Sequence, residues 1–438
     1  MSNDEGTATQ TEVGNYFISN YPPYSYWGVE DLPVVDRVLD AKPSDDRPLG
    51  LYVHIPFCRK RCDFCYFKVY TDKNSGQIRR YLDAVGTELE TYAKRPYIAG
   101  RKPSFLYFGG GTPSYLSADQ LRTLFGTLRE KLDLSEIEEI AFECEPGTLS
   151  LPKVEALKEL GVTRLSLGVE NFNPDVLELN NRAHRAEEIH RTYGYARDVG
   201  FESINIDLIA GMVGETDENW SYCIDETIRL APDGVTVYQL EVPYNTTIYQ
   251  RMKDSGERVA PVADWETKRR WTAECFQRLG QAGFRQTSAY TAYRGDDVRF
   301  VYRDSLWRGA DLLGLGVSSF SNLGGHHFQN ESSFEPYCAR VEAGDSPIAR
   351  AYEMDEEERM IRQFILLIKE GRIERQYFLD RYGVDVLERF KEGLATHEKS
   401  GLLTLSEDGV RLTPEGFLRV DWMLPTFFLE RHRGERYV

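Results

Sequence analysis

The sequence has no run of about 18 apolar residues, so no membrane-spanning helix is expected. Its first residues, MSNDEGTATQTEVGN, contain no apolar h-region and read as a polar extension rather than a signal peptide. No self-similarity stands out at a period of about 20–50 residues, which argues against a solenoid or propeller. Basic residues fall short of acidic ones, 53 Lys and Arg against 70 Asp and Glu, for a net charge of −17. That balance repels a phosphate backbone, so nucleic-acid binding is not expected. Cysteine is scarce: seven residues, an odd number, three of them within positions 58–65. A secreted disulfide framework is usually even and spread out. The chain is therefore read as cytoplasmic, and its cysteine triplet as a metal site.

What is present fits a globular protein: 438 residues, 41% hydrophobic and 28% charged. Short apolar runs at 51–55, 105–108, 140–142, 165–169, 204–209 and 235–240 alternate with helical patterns near 76–95, 118–131, 151–159, 186–198 and 217–230. Strands alternating with helices make a parallel α/β sheet, open or barrel-shaped. Strands of such a sheet, buried on both faces, are expected to be continuously apolar. A helix near 263–282 and a Gly-rich stretch at 312–318 follow. Beyond 352, helices near 355–369 and 384–400 precede two short strands, at 402–405 and 410–412, which suggests a winged-helix-like module. The expected organisation is an extension over 1–47, a core over 48–330 and a C-terminal module over 331–438.

The strongest chemical signal is Cys58-Arg59-Lys60-Arg61-Cys62-Asp63-Phe64-Cys65, directly after the first strand. Three thiolates at this spacing can hold three irons of a 4Fe-4S cluster and leave the fourth open to a chelating small molecule. Arg59, Lys60 and Arg61 are expected to lower the thiolate pKa values. The other reading is a zinc loop or buried free cysteines, but zinc sites favour a second Cys or His pair, which the sequence does not supply. The second signal is Gly109-Gly110-Gly111-Thr112-Pro113, a turn in which the backbone can approach a ligand closely. No Gly-Lys-Ser/Thr follows, so it is not a P-loop. The third signal is a set of polar residues at strand C-termini: Glu143, Glu145, Glu170, Asp207, Gln239 and Glu241. That end of a parallel sheet carries the site. Asp207 interrupts an apolar strand and needs a partner, for which Arg182 is the candidate.

These segments, with Tyr52-Val53-His54-Ile55-Pro56-Phe57-Cys58, Gly168-Val169-Glu170-Asn171-Phe172 and Asn205-Ile206-Asp207-Leu208-Ile209 followed by Gly211, resemble radical S-adenosylmethionine (SAM) enzymes of the coproporphyrinogen III dehydrogenase-like (HemN-like) group. The resemblance implies a partial (β/α)6 TIM-like barrel with a C-terminal module. It implies a 4Fe-4S cluster on Cys58, Cys62 and Cys65. It also implies a SAM site of Tyr52, Phe64, Gly110, Gly111, Thr112, Glu143, Glu170, Arg182 and Asp207, a second SAM, and an electron donor such as flavodoxin or ferredoxin. Departures from the group's pattern are Glu170 in place of its usual Gln, Phe67 where the decarboxylase carries a further Cys, and Asn20-Tyr21-Pro22-Pro23-Tyr24-Ser25 in place of its N-terminal Arg-Tyr-Thr-Ser-Tyr-Pro. They tilt the expectation toward methyl or methylene transfer, including cyclopropanation, on a bulky or cyclic small molecule. Oxidative decarboxylation of a porphyrinogen and heme chaperoning are the alternatives. The aromatic patch 21–27 and the segment 307–321 are expected to close over the site. Tyr24, Trp27, Gln239 and Glu241 are the substrate-contact candidates. His54 is expected to brace the cluster loop, and His326 and His327 to form a surface-loop pair, the alternative being a role in ligating heme or protonating a substrate.

Overall fold

The computed structural model describes residues 18–256 and 260–434. The polar start of the chain lies outside them. Six parallel strands run in sequence order: β1 (Leu49–Ile55), β2 (Phe105–Gly110), β3 (Glu139–Cys144), β4 (Arg164–Glu170), β5 (Ser203–Ala210) and β6 (Gly234–Gln239). Helix α1 (Leu32–Asp40) precedes them. Helices α2 (Ser75–Ala93), α3 (Ala118–Lys131), α4 (Leu151–Glu159), α5 (Pro174–Leu179), α6 (Ala186–Asp198) and α7 (Asp217–Leu230) connect them. Local chemistry sets the helix starts. Asn74 with Gln77, and Ser117 with Gln120, form capping boxes, and the Thr216 side chain caps α7.

Each strand has two unlike faces. Leu51, Val53, Leu106, Phe108, Phe142, Leu165, Leu167, Ile204, Ile206, Val235 and Val237 pack with the helices into the main core. The intervening positions, among them Tyr52, Tyr107, Glu143, Ser166, Asn205, Asp207 and Thr236, share the opposite face. The expectation of continuously apolar strands fails here for a physical reason: the inner face borders a cavity, not a second solid core.

After α8 (Thr247–Ser255) and α9 (Trp265–Gln281) the chain returns to the sheet. Strands β7 (Phe284–Gln286) and β8 (Thr291–Arg294) pair antiparallel outside β6. Helix α10 (Val301–Trp307) leads to β9 (Asp311–Leu315), which lies parallel to β1 as a seventh parallel strand. Strands β10 (Phe320–Leu323), β11 (His326–Asn330) and β12 (Ile348–Glu353) complete that edge antiparallel, with α11 (Phe334–Glu342) between the last two. The twelve strands form an open sheet, not a closed barrel.

Three expectations change. The segment 307–321 is no lid: it supplies β9, and Trp307, Leu313 and Leu315 are buried. His326 and His327 lie on β11, not on a surface loop, and His327 is buried beneath Trp27. The boundary at 330/331 divides β11 from β12, which are hydrogen-bonded neighbours. The second core gathers Tyr21, Phe105, Ala289, Leu306, Trp307 and Ala310 onto α12 (Glu356–Leu367), capped by Asp355 with Glu358, and continues through β13 (Arg372–Glu374), α13 (Arg375–Tyr382), α14 (Val386–Arg389), α15 (Lys391–Lys399), β14 (Leu403–Ser406) and β15 (Gly409–Leu412). The strand order β13-β15-β14 is that of a small antiparallel wing. Short helices α16 (Pro414–Leu418) and α17 (Val420–Met423) carry the chain back toward the parallel strands.

Candidate active site

A single cavity of about 510 Å³ joins the cysteine loop, the C-terminal ends of the strands and the α16–α17 corner. Cys58, Cys62, Phe64, Cys65, Gly110, Gly111, Thr112, Glu143, Glu170, Arg182, Asp207, Gln239 and Glu241 all line it. Residues 58 and 241 are far apart in sequence, and the parallel register brings them to one wall.

The cysteine loop leaves β1 beside the glycine turn. Gly111 donates its backbone N–H to the Ile55 carbonyl at 2.8 Å. A Cβ on Gly111 would sit 2.9 Å from the Pro56 carbonyl carbon and 3.0 Å from the Phe57 oxygen, so only glycine lets the two loops touch. Gly110 has φ +112°, and a Cβ there would meet the His54 ring at 2.5 Å. His54 thus packs under the glycine turn, with its Nδ1 3.0 Å from the Tyr52 hydroxyl. Burial holds its pKa down at about 4, which keeps the ring neutral.

Two of the three sulfurs meet side-chain donors. Thr112 donates to Cys58 Sγ at 3.2 Å, and Arg182 Nη1 donates to Cys62 Sγ at 3.1 Å. Among the described residues no three His, Cys, Asp or Glu groups converge on one ion. A 4Fe-4S cluster takes each of three thiolates at a separate corner. The donor set fits the cluster. The basic triplet acts as expected at one place, where Arg61 pulls the Cys65 thiol down, but burial outweighs it. Burial pushes the Cys58 thiol up to about 12 and the Cys65 thiol to about 11. Arg59 is engaged by Glu145, at 3.0 and 3.1 Å, and Arg61 by the carbonyls of Cys65 and Asn245. The guanidinium that touches a cysteine sulfur is Arg182.

Carboxylates ring the cavity beside the sulfurs. Glu143 accepts from the Tyr107 hydroxyl and, at 3.1 Å, from the Gly110 N–H. Burial raises its carboxyl to about 7. Glu170 sits at a register shift after Gly168, with φ +64°, which turns its side chain toward Arg182 at 3.5 Å. Burial raises its carboxyl to about 7, against the pull of Arg182. Asp207 is held by Ser166 at 2.8 Å and Asn205 at 2.9 Å, not by Arg182 as the sequence suggested. Arg182 is taken up by Cys62, Glu170 and the Gly168 carbonyl.

Three expected contacts lie elsewhere. Tyr52 is not part of the lining; it stacks 6.0 Å behind Tyr107, which is. Trp27 is 5% exposed, stacks on His327 at 4.7 Å and donates Nε1 to the Pro22 carbonyl. Tyr24 stacks on Phe320 and under Arg350, also off the lining. The patch 21–27 is thus packing between β10–β11 and the C-terminal residues. Tyr21, fully buried, lies 2.9 Å from His432 Nδ1. The walls that the sequence did not reveal are Tyr66, Phe67, Trp265, Arg269, Tyr290, Phe300 and the corner Leu418, Arg419, Asp421 and Trp422. Gln239 Nε2 donates to the Leu418 carbonyl at 3.2 Å and ties that corner to β6. Trp422 stays 48% exposed at the mouth. No periodicity marks the corner, because helices this short carry none.

Comparison with known proteins shows the fold and the family. The Radical SAM superfamily profile matches residues 52–226, and the HemN C-terminal domain profile matches residues 355–419. The oxygen-independent coproporphyrinogen III oxidase of Salmonella typhimurium is 32% identical over 391 residues, 86% of this chain and 84% of that one. The heme chaperone HemW of Bacillus subtilis is 28% identical over 84% of this chain and 96% of its own. The solved structure of the radical SAM enzyme coproporphyrinogen III oxidase (HemN) from Escherichia coli superposes with a TM-score of 0.81 at 28% identity, covering 93% of this chain and 96% of that one.

Proposed function

The chain belongs to the radical SAM superfamily, in its oxygen-independent coproporphyrinogen III oxidase-like group, and from that premise we propose that it oxidatively decarboxylates propionate side chains of a porphyrinogen. The observation that carries the reading is the continuity of the cavity. One space runs from the three cysteines, past the carboxylate ring, to the HemN-type C-terminal module. The expectation of methyl or methylene transfer finds no support among these relatives and is set aside.

The family's 4Fe-4S cluster and SAM, when bound, supply a one-electron cleavage whose radical removes a hydrogen atom from the substrate. The chain's own groups do the rest. Cys58, Cys62 and Cys65 would hold the cluster, and the close packing at Gly111 fixes the cysteine loop against the glycine turn. Gly110, Gly111 and Thr112 offer backbone to an amino-acid end. Glu143, Glu170, Arg182 and Asp207 offer acceptors and one cation to the rest of a nucleoside. Phe64 lies between this group and the apolar cluster of Val176, Ile209, Met212 and Leu240. The α16–α17 corner excludes water from the side where a large substrate must enter, which a reactive radical requires. Electrons come from an external donor of the flavodoxin or ferredoxin kind.

The test is anaerobic incubation of the reconstituted protein with SAM, a reductant and coproporphyrinogen III, followed by mass spectrometry. Decarboxylated porphyrinogen together with 5′-deoxyadenosine supports the reading. S-adenosylhomocysteine with a methylated product contradicts it, and so does tight heme binding without turnover.

A further inference from the structure

The cavity does not stop at the strand ends. It continues down the inner face of the sheet to Arg164, the first residue of β4, at the far end of that strand from Glu170. Arg164 is 1% exposed. Its Nη1 donates to the Ser203 hydroxyl at 3.2 Å. Its guanidinium lies 4.4 Å from the Phe300 ring centre and 5.6 Å from that of Tyr293. Its Nε is buried with no hydrogen-bond partner. Glu139 and Asp207 feel its charge, but neither is in an ion pair with it among the described residues. Both are committed elsewhere. Glu139 accepts the backbone N–H groups of Val301 and Tyr302 at 3.2 and 3.0 Å, and Asp207 is held by Ser166 and Asn205.

A guanidinium is always charged and presents five donors in a flat fork. Burying one without a direct ion pair is costly. One neutral hydrogen bond and two ring faces leave most of that fork unused, in a wall of a cavity large enough for a ligand. The partner that matches a flat fork edge is a two-oxygen anion accepted side by side.

We propose that Arg164 is a second anchoring subsite, at the floor of the cavity, for the carboxylate of an organic ligand. The inference rests on the porphyrinogen reading for its favoured ligand, a propionate of the substrate. The amino-acid end of a SAM molecule other than the one at Gly110–Thr112 offers the same chemistry. Anchoring one carboxylate at the floor leaves another part of the same molecule level with Glu143 and the cysteine loop, so Arg164 sets which side chain is presented for reaction.

The experiment uses the full chain with its cluster reconstituted anaerobically. Coproporphyrin III, a stable fluorescent tetra-acid, is compared with its methyl ester, and SAM with decarboxylated SAM. The subsite predicts that wild type binds the porphyrin acid at least tenfold tighter than the ester. The ratio falls to near one in Arg164→Gln and is partly kept in Arg164→Lys. If Arg164→Gln instead changes only the SAM to decarboxylated-SAM ratio of a second bound equivalent, the carboxylate is the cofactor's. Wild-type ratios for both pairs in Arg164→Gln overturn the subsite. Should that variant fail to fold by circular dichroism, Arg164→Lys decides, because an ammonium lacks the two-donor edge; unchanged ratios there overturn it equally. Wild-type protein that binds neither porphyrin but binds SAM contradicts the porphyrinogen reading, while the SAM pair still decides the subsite.

Discussion

Gly111 is where single-residue sterics govern the whole site. A valine there does more than narrow the cavity: its Cβ would press on the backbone of Pro56 and Phe57, directly ahead of Cys58. Gly111→Val should lose bound iron as well as SAM affinity, measured by iron assay and equilibrium dialysis of the anaerobic protein; full iron content would contradict the packing account. A second residue-scale prediction concerns Glu88, 2% exposed, which accepts from Tyr337, Asn330 and the Gly316 N–H. Burial raises its carboxyl from 4.5 to about 7. A raised acid pKa means that the folded state holds its proton more tightly. Its contribution to stability is therefore complete below pH 4.5 and is lost as pH rises through 7, about 3 kcal/mol at most by linkage. Urea unfolding of wild type should show that fall and Glu88→Gln should flatten it. Parallel pH profiles for the two proteins would contradict it. The cysteines, the glycine turn and the strand-end carboxylates were legible in the sequence because their chemistry is local. The partners of Asp207 and Arg182 were not, since a bulge at Glu170 decides where each side chain reaches.

At the scale of elements, the six strands and their helices stood out because polar and apolar positions repeat with the period of each element. Strand β13, three residues long, and helices α16 and α17 left no such pattern. The aromatic patch 21–27 misled for a related reason: its rings are as well suited to packing as to covering a ligand, and only the fold shows which. Tyr21 is fully buried against Phe428 and His432. Tyr21→Ala should cost about 3–5 kcal/mol of stability by urea unfolding, with SAM cleavage per folded molecule unchanged. A stable variant that makes excess 5′-deoxyadenosine would restore the lid reading. On the proposed function, closure falls instead to the α16–α17 corner, which lines the cavity. Trp422→Ala should keep its iron and raise the ratio of 5′-deoxyadenosine to product several-fold, read by chromatography of both. An unchanged ratio would remove the corner from the closing role.

For the whole molecule, the central claim is that the cysteine loop and the substrate share one enclosed space beneath the C-terminal module. Composition and charge set expectations about membrane spans and nucleic acid, but no linear pattern announces a cavity whose wall combines residues 58–67 with residues 418–422. The most direct measurement follows a label across that space. Coproporphyrinogen III deuterated on its propionate carbons is turned over anaerobically with SAM and reductant, and the 5′-deoxyadenosine is weighed by mass spectrometry. Deuterium in the 5′-deoxyadenosine, in step with decarboxylated product, is the predicted result. Unlabelled 5′-deoxyadenosine accompanied by S-adenosylhomocysteine and an intact set of propionates would contradict the account.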